Sequence, residues 1–289
     1  MNFISGETLL KLCINEKLPI SAIMKQREVS EGALDDAQIN EKLDVIIKIM
    51  KEASHKPIKS PGISMGGLIG GEAKKIIAHQ KSSSALAGTL LSNAIAYSMA
   101  VQEQNASMGL IVASPTAGSA GVVPGVLFAL SEDRKLADST LKNGLLVASA
   151  IGYLIMLNAS VAGAEAGCQA EVGTASAMAA AAAVEMMGGS PDMCLQAASI
   201  ALSNLLGLVC DPIAGLVESP CQTRNAIGVA NAITCAELAL SGIKSIVPFD
   251  EMVEAMYTVG KCLPTSLRET AIGGCAGTPT GQSIACQNV

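Results

Sequence analysis

Between residues 143 and 221 the chain has neither a lysine nor an arginine. So long a stretch without a cation cannot form an ordinary solvated surface; it belongs inside protein, in a subunit interface or in lipid. Residues 143–164 carry no charge at all and are numerous enough to span a bilayer. Against a membrane span, Gly144, Ser149, Gly152, Asn158, Ser160 and Gly163 interrupt the run. Lys142 is its only basic flank, the next cation being Arg224, whereas membrane helices usually carry basic anchors. Alanine, glycine and serine dominate, which suits helices in close mutual contact. A buried core helix is expected, and no membrane association. Met1 opens into Asn-Phe-Ile-Ser-Gly-Glu, without a basic segment and apolar core, so no export signal is expected.

Charge gathers at the other end: residues 1–60 hold 18 of the 44 charged side chains. They suggest an amino-terminal charged helical segment, 1–60, ahead of a catalytic region, 61–289, or one continuous domain. With a net charge of −6, no tryptophan, three tyrosines and three phenylalanines, the chain offers neither a basic footprint nor stacking surfaces for nucleic acid. Nine cysteines without an export signal point to a reducing, cytoplasmic setting, where cysteines are buried small hydrophobes or metal ligands and not disulfides.

Apolar spacing reads as helix almost everywhere. In residues 37–50, Ile39, Leu43, Ile46, Ile47 and Met50 recur at three and four residues, one stripe along one face. Lys56-Pro-Ile-Lys-Ser-Pro-Gly62 reads as a loop, followed by the glycine-rich Ser64-Met-Gly-Gly-Leu-Ile-Gly-Gly71. Further helices are expected at 82–103, from about Val123, and at 138–164, 174–187, 191–206, 221–241 and 249–260. Residues 179–183 are five alanines, strong helix formers within an apolar pattern. The fold class expected is mainly α: a compact multi-helix domain with small-residue-rich buried helices and Gly/Pro-rich active-site loops.

Three cysteines stand beside glycine or proline at helix boundaries, where free backbone N–H groups favour a thiolate. They are Cys168 in Gly163-Ala-Glu-Ala-Gly-Cys-Gln-Ala-Glu-Val-Gly173, Cys210 in Val209-Cys-Asp-Pro212, and Cys221 in Glu218-Ser-Pro-Cys-Gln222. Separations of 42 and 11 residues match no ferredoxin or zinc-ribbon ladder, so by spacing they are equally buried structural cysteines or ligands. Cys13, Cys194, Cys235 and Cys262 fall in apolar helical patterns and read as structural, as does Cys275. A second feature is Pro115-Thr-Ala-Gly-Ser-Ala-Gly121. The hydroxyls of Thr116 and Ser119, with Gly118 and Gly121, suit a nest for a carboxylate or phosphate, or an ordinary turn before a helix. No Gly-Lys-Ser/Thr follows, so it is not a P-loop. Glu165, Glu171 and Asp211 flank the cysteines and suit helix capping or contact with a substrate ammonium. His55 and His79 fit surface or linker positions.

These motifs together resemble the α-chain of bacterial iron–sulfur L-serine dehydratases: Ser114-Pro-Thr-Ala-Gly-Ser-Ala-Gly-Val-Val-Pro-Gly125, the Cys168, Cys210 and Cys221 segments, Arg224-Asn-Ala-Ile-Gly-Val-Ala-Asn-Ala232 and Leu267-Arg-Glu-Thr-Ala-Ile-Gly-Gly274. The resemblance spans nearly the whole chain. It implies that Cys168, Cys210 and Cys221 hold a [4Fe-4S] cluster with one open iron. It implies also that Pro115, Thr116, Ala117, Gly118 and Ser119 bind L-serine, and that no pyridoxal phosphate takes part. Some single-chain relatives carry a cysteine near the carboxyl terminus that occupies the open iron; Cys286 is the candidate equivalent. Single-chain relatives also carry an additional region with a Ser-His-Thr motif, which in two-chain members is a separate β-chain. A serine dehydratase β-chain is therefore the expected partner and the expected source of the general base. An iron–sulfur L-cysteine desulfidase, a cluster protein for sensing or redox work, and a helical membrane protein without a cluster are the rival readings.

Overall fold

The computed structural model describes residues 2–32, 34–82 and 85–287, and among them regular structure is helical, without a strand. The first five helices are α1 (Gly6–Glu16), α2 (Ile20–Gly32), α3 (Asp36–Lys59), α4 (Glu72–Gln80) and α5 (Gly88–Ala106). Next come α6 (Val122–Arg134), α7 (Asp138–Asn158), the single turn α8 (Gly163–Ala166) and α9 (Thr174–Met186). The last are α10 (Pro191–Asn204), α11 (Cys221–Leu240), α12 (Phe249–Cys262) and α13 (Pro279–Gln287).

Local chemistry starts several of these helices. Ser5 and Thr8 form a reciprocal capping box on α1, and Asp35 and Gln38 form another on α3. Ser190 caps α10 ahead of Pro191, which sets the first helical φ and has no N–H to leave unpaired. Asp250 at the start of α12 accepts from the N–H groups of Gly6 (2.6 Å) and Glu7 (2.9 Å), so the carboxylate of one helix caps another.

The alanine-rich α9 lies at the centre, with α7, α10, α11 and α6 against it. Residues Ala179, Ala180, Ala181 and Ala182 are fully buried, and so are Ala175 and Ala177. With nothing larger than methyl groups on these positions, the neighbouring backbones come close. Ser176 Oγ reaches the carbonyl of Gly228 on α11 at 3.0 Å. This accounts for much of the cation-free segment, whose helices α7, α9 and α10 form the core, although Met156, Leu157 and Met187 are exposed. Helix α7 is long and apolar enough to cross a membrane by length and composition. Its Leu145, Val147, Ile151, Leu154 and Ile155 nevertheless face the protein interior, beneath α2 and α9. The amino-terminal residues join the same apolar core, through Phe3, Leu9, Ile20 and Ile23.

Two expected boundaries move. The loop expected at 56–62 is helical as far as Lys59, with Pro57 inside α3. Proline there removes one hydrogen bond in the last turn, and the burial of Ala53, Ser54 and Pro57 holds the turn regardless. The helix expected at 138–164 stops at Asn158, where Ala159 turns extended. The start of the helix expected at 82–103 falls partly on residues 83–84, outside the described residues; α5 begins at Gly88.

One carboxyl in this core gives a stability prediction. Burial raises Glu185 above the ordinary carboxylate range, partly offset by the Ser21 hydroxyl and the amides of Ser21 and Ile20. A carboxyl raised on folding contributes fully below its unfolded pKa, and that contribution is lost as pH rises through the folded value. Glu185→Gln keeps the acceptor for Ser21 N–H and has no charge to lose. Its urea midpoint relative to the parent is therefore expected to rise from pH 5 to pH 8. A difference that stays flat with pH would show that the charge is not what burial penalises.

Candidate active site

The three cysteines come from three separate segments. Cys168 lies between α8 and the wide turn Gln169–Gly173 that runs into α9, Cys210 follows α10, and Cys221 is the first residue of α11. They are 2%, 3% and 6% exposed, and all are free thiols. The Cys210 and Cys168 thiols lie close enough to influence one another, and Cys221 lies within the electrostatic reach of both Cys168 and Glu171. Contact with Cys168, then burial, pushes the Cys210 thiol far up, and burial pushes Cys221 up to about 12. Cys210 and Cys221, buried in a dry place beside other acidic groups, therefore resist ionising.

Fixed backbone holds each segment. Cys210 N–H donates to the Leu267 carbonyl at 2.9 Å, and Glu269 N–H donates to the Cys210 carbonyl at 2.7 Å. This parallel bridge pins Cys210 to the segment after α12. Asp211 Oδ2 accepts from Cys275 N–H at 2.6 Å and closes the same clasp. Arg224, one turn into α11 from Cys221, lies within electrostatic reach of Cys168 and donates to the Val209 carbonyl at 2.8 Å. Its Nη1 stands 2.6 Å from Asp211 Oδ1, a charge contact at which no N–H is aimed. Gly163 allows the crossing: a Cβ there would stand 2.4 Å from Glu171 Oε2 and 3.0 Å from Cys210 Sγ.

Beside the thiols lies the loop 114–121. Residues Ala117–Ser119 form a short turn that leads into α6. Asn225, fully buried on α11, holds the loop from inside. Its Nδ2 donates to the carbonyls of Gly118 (2.7 Å) and Cys221 (2.9 Å), and its Oδ1 accepts from Gly121 N–H (3.0 Å). Gln102 on α5 adds a bond to the Ala117 carbonyl at 3.2 Å. Gly121 has to lack a side chain, since a Cβ would lie 2.3 Å from the Ser98 carbonyl oxygen.

Glu171 joins loop and thiols. Thr116 Oγ1 donates to its Oε1 at 2.6 Å, and Cys210 Sγ lies 3.7 Å from its Oε2. Burial raises this carboxyl above its ordinary range, against the lowering effect of the Thr116 hydroxyl. It caps no helix; its bonds are to side chains. A second carboxylate, Glu218, ties the glycine-rich segment to the cysteine loop. It accepts from Ser64 Oγ (2.6 Å), Gly66 N–H (2.7 Å) and Leu68 N–H (2.9 Å).

The donor set suits an iron–sulfur cluster: three buried, reduced thiols from three segments, with the Arg224 guanidinium beside Cys168 to offset thiolate charge. Among the described residues no group of three His, Cys, Asp or Glu side chains has the spacing that one metal ion requires. A cluster is itself several ångströms across, so its thiolates stand further apart than the ligands of one ion.

The remaining candidates lie elsewhere. Cys13, Cys194 and Cys235 are buried, whereas Cys262 is exposed at the end of α12, contrary to its apolar sequence pattern. Cys286 is exposed on α13, which lies against the turn Ile213–Gly215 between Cys210 and Cys221. His55 stacks on Tyr97 with ring centroids 4.4 Å apart and contacts Glu132 at 3.0 Å; His79 is exposed near the end of α4. Glu165 takes the Ser160 hydroxyl at the surface. Sequence reasoning missed Asn225, Gln102, Glu218 and Arg224 as supports. Nothing local singled Asn225 out, since Gln222, Thr223 and Arg224 make the first turn of α11 polar throughout.

Comparison with known proteins bears on this arrangement. Residues 15–276 match the family model described as "Serine dehydratase alpha chain". The chain is 45% identical over 284 residues to the "Probable L-serine dehydratase, alpha chain" of Bacillus subtilis (strain 168), covering 98% of this chain and 94% of that one. It is 45% identical over 280 residues to the "L-serine dehydratase, alpha chain" of Peptoniphilus asaccharolyticus, covering 97% and 96%. The "L-serine dehydratase" of Streptomyces coelicolor is 38% identical over 277 residues, which cover 95% of this chain but 60% of that longer protein.

Proposed function

Because the chain belongs to the serine dehydratase alpha-chain family, we propose that it is the alpha chain of a two-chain, cytoplasmic L-serine dehydratase. The reaction removes water from L-serine to give aminoacrylate, which tautomerises and takes up water to yield pyruvate and ammonia. The observation that carries the reading is Glu171, which holds the Thr116 loop and the Cys210 thiol against one another at 2.6 and 3.7 Å.

Cys168, Cys210 and Cys221 would hold a [4Fe-4S] cluster, which when bound supplies a Lewis acid that eases the departure of hydroxide. Arg224 offsets the negative charge of the thiolates. The loop Pro115–Ser119 binds the substrate carboxylate, using N–H groups at the start of its turn that have no acceptor within the turn. Asn225 fixes that loop before substrate arrives, so little order is lost on binding. Burial of the thiols and of Glu171 keeps water from the reacting carbon. The proton on Cα goes to a base on the partner chain, since His55 is paired with Glu132 and His79 lies exposed near the end of α4. The proposed partner is a serine dehydratase beta chain, a reading supported by the alpha-chain naming of the relatives of similar length.

The test is an anaerobic assay of the chain co-expressed with a beta chain. L-Serine is expected to give pyruvate and ammonia, with little activity from the alpha chain alone. Sulfide and pyruvate from L-cysteine in preference to L-serine would make it a desulfidase, and iron without turnover of either would remove the lyase reading.

A further inference from the structure

We propose that Glu171 is the subsite for the ammonium group of the amino acid substrate. The inference rests on the dehydratase reading and adds a residue to it. Glu171 is 8% exposed, and among the described residues it takes part in no ion pair. Its bonds are to one hydroxyl, Thr116, and one thiol, Cys210. Arg224 is its nearest cationic influence, and that guanidinium is already engaged with Asp211, Val209 and Cys168. Glu269, a second carboxylate, adds negative charge to the surroundings. A carboxylate buried without a cation is costly, and the site recovers that cost when a cation arrives.

An α-amino acid brings one. Its carboxylate goes to the Pro115–Ser119 loop and its Cβ hydroxyl to the thiol side, which leaves the ammonium on the carbon between them. Glu171 occupies that interval, with Oε1 towards the loop and Oε2 towards Cys210. A carboxylate accepts about four hydrogen bonds, and the Thr116 hydroxyl and the Cys210 thiol leave room for ammonium protons. Gly118 and Gly163 let their backbones lie directly against the carboxylate: a Cβ on Gly118 would stand 3.1 Å from Glu171 Oε1, and one on Gly163 2.4 Å from Oε2, so a larger residue at either place would displace it.

L-Glycerate, which carries a hydroxyl in place of the ammonium, is the discriminating probe. In the holoenzyme with its beta chain, Glu171→Gln is expected to raise KM for L-serine about tenfold or more. The inhibition constant of L-glycerate is expected to change by less than about twofold. Glu171→Asp, which keeps the charge on a shorter arm, is expected to fall between the two. An unchanged KM in Glu171→Gln overturns the proposal. So does a parallel loss of L-serine and L-glycerate binding in both variants, with or without loss of iron, because Glu171 would then only support the loop and thiols. Failure of the parent enzyme to turn over L-serine is a different result, and it removes the dehydratase reading itself.

Discussion

Cys168→Ala, Cys210→Ala and Cys221→Ala are each expected to lose iron and pyruvate formation together, while far-ultraviolet circular dichroism keeps its helical signal. Each thiol comes from a different segment, so no neighbour can substitute for a missing one. Lewis-acid assistance is worth several kcal/mol, and each 1.4 kcal/mol is tenfold, so activity should fall by about a thousandfold or more. The fold should survive because each change removes one buried atom, at a cost of about 1 kcal/mol. Cys194→Ala is the control: Cys194 is equally buried, in the core on α10, and its loss should leave iron content unchanged. Iron and sulfide analysis of anaerobically purified protein reads all four variants. Full iron in any of the first three would show that the corresponding thiol is a packing residue.

The second large effect is expected from Asn225→Ala, with iron retained. Removing this amide leaves the buried Gly121 N–H and the part-buried Gly118 carbonyl without their partner. Each unpaired buried group costs about 1–3 kcal/mol, so roughly 3 kcal/mol of stability should be lost, or about 5–10 °C in Tm. Freed from its support, the 114–121 loop should misplace the substrate, and displacements of that kind cost about a hundredfold in kcat/KM. Asn225→Asp keeps the acceptor for Gly121 N–H and loses the donor to Gly118. It should lie between parent and alanine variant. A Tm drop with unaltered kcat/KM would separate the loop's order from substrate binding. The two sets of variants therefore differ in signature: one loses the metal, the other keeps it and loses precision.

Much of the helical architecture was legible in the residues. Apolar spacing placed the start of α3 and both ends of α9, α10, α11 and α12 within a few residues, and the run of alanines was read as a strong helix former. Helix periodicity is local, carried by residues three and four apart, so it survives in a single sequence. The ends were less legible. The end of α3 depended on burial of Ala53, Ser54 and Pro57, which outweighed the local preference of a proline. The exposure of Cys262 likewise depended on what lies opposite α12 near its end, which no pattern within the helix records.

Sequence by itself determined the helical class, the buried character of residues 143–221 and, through its motifs, the family. Only the tertiary structure decided which groups meet. Glu171 and Thr116 are 55 residues apart along the chain, Asn225 and Gly118 107 apart, and Glu218 and Ser64 154 apart. A buried carboxylate or amide has to find a partner wherever the chain brings one, and that choice is made when the helices close on each other. Helix formation is written between neighbours; hydrogen-bond satisfaction in a core is written between strangers in sequence.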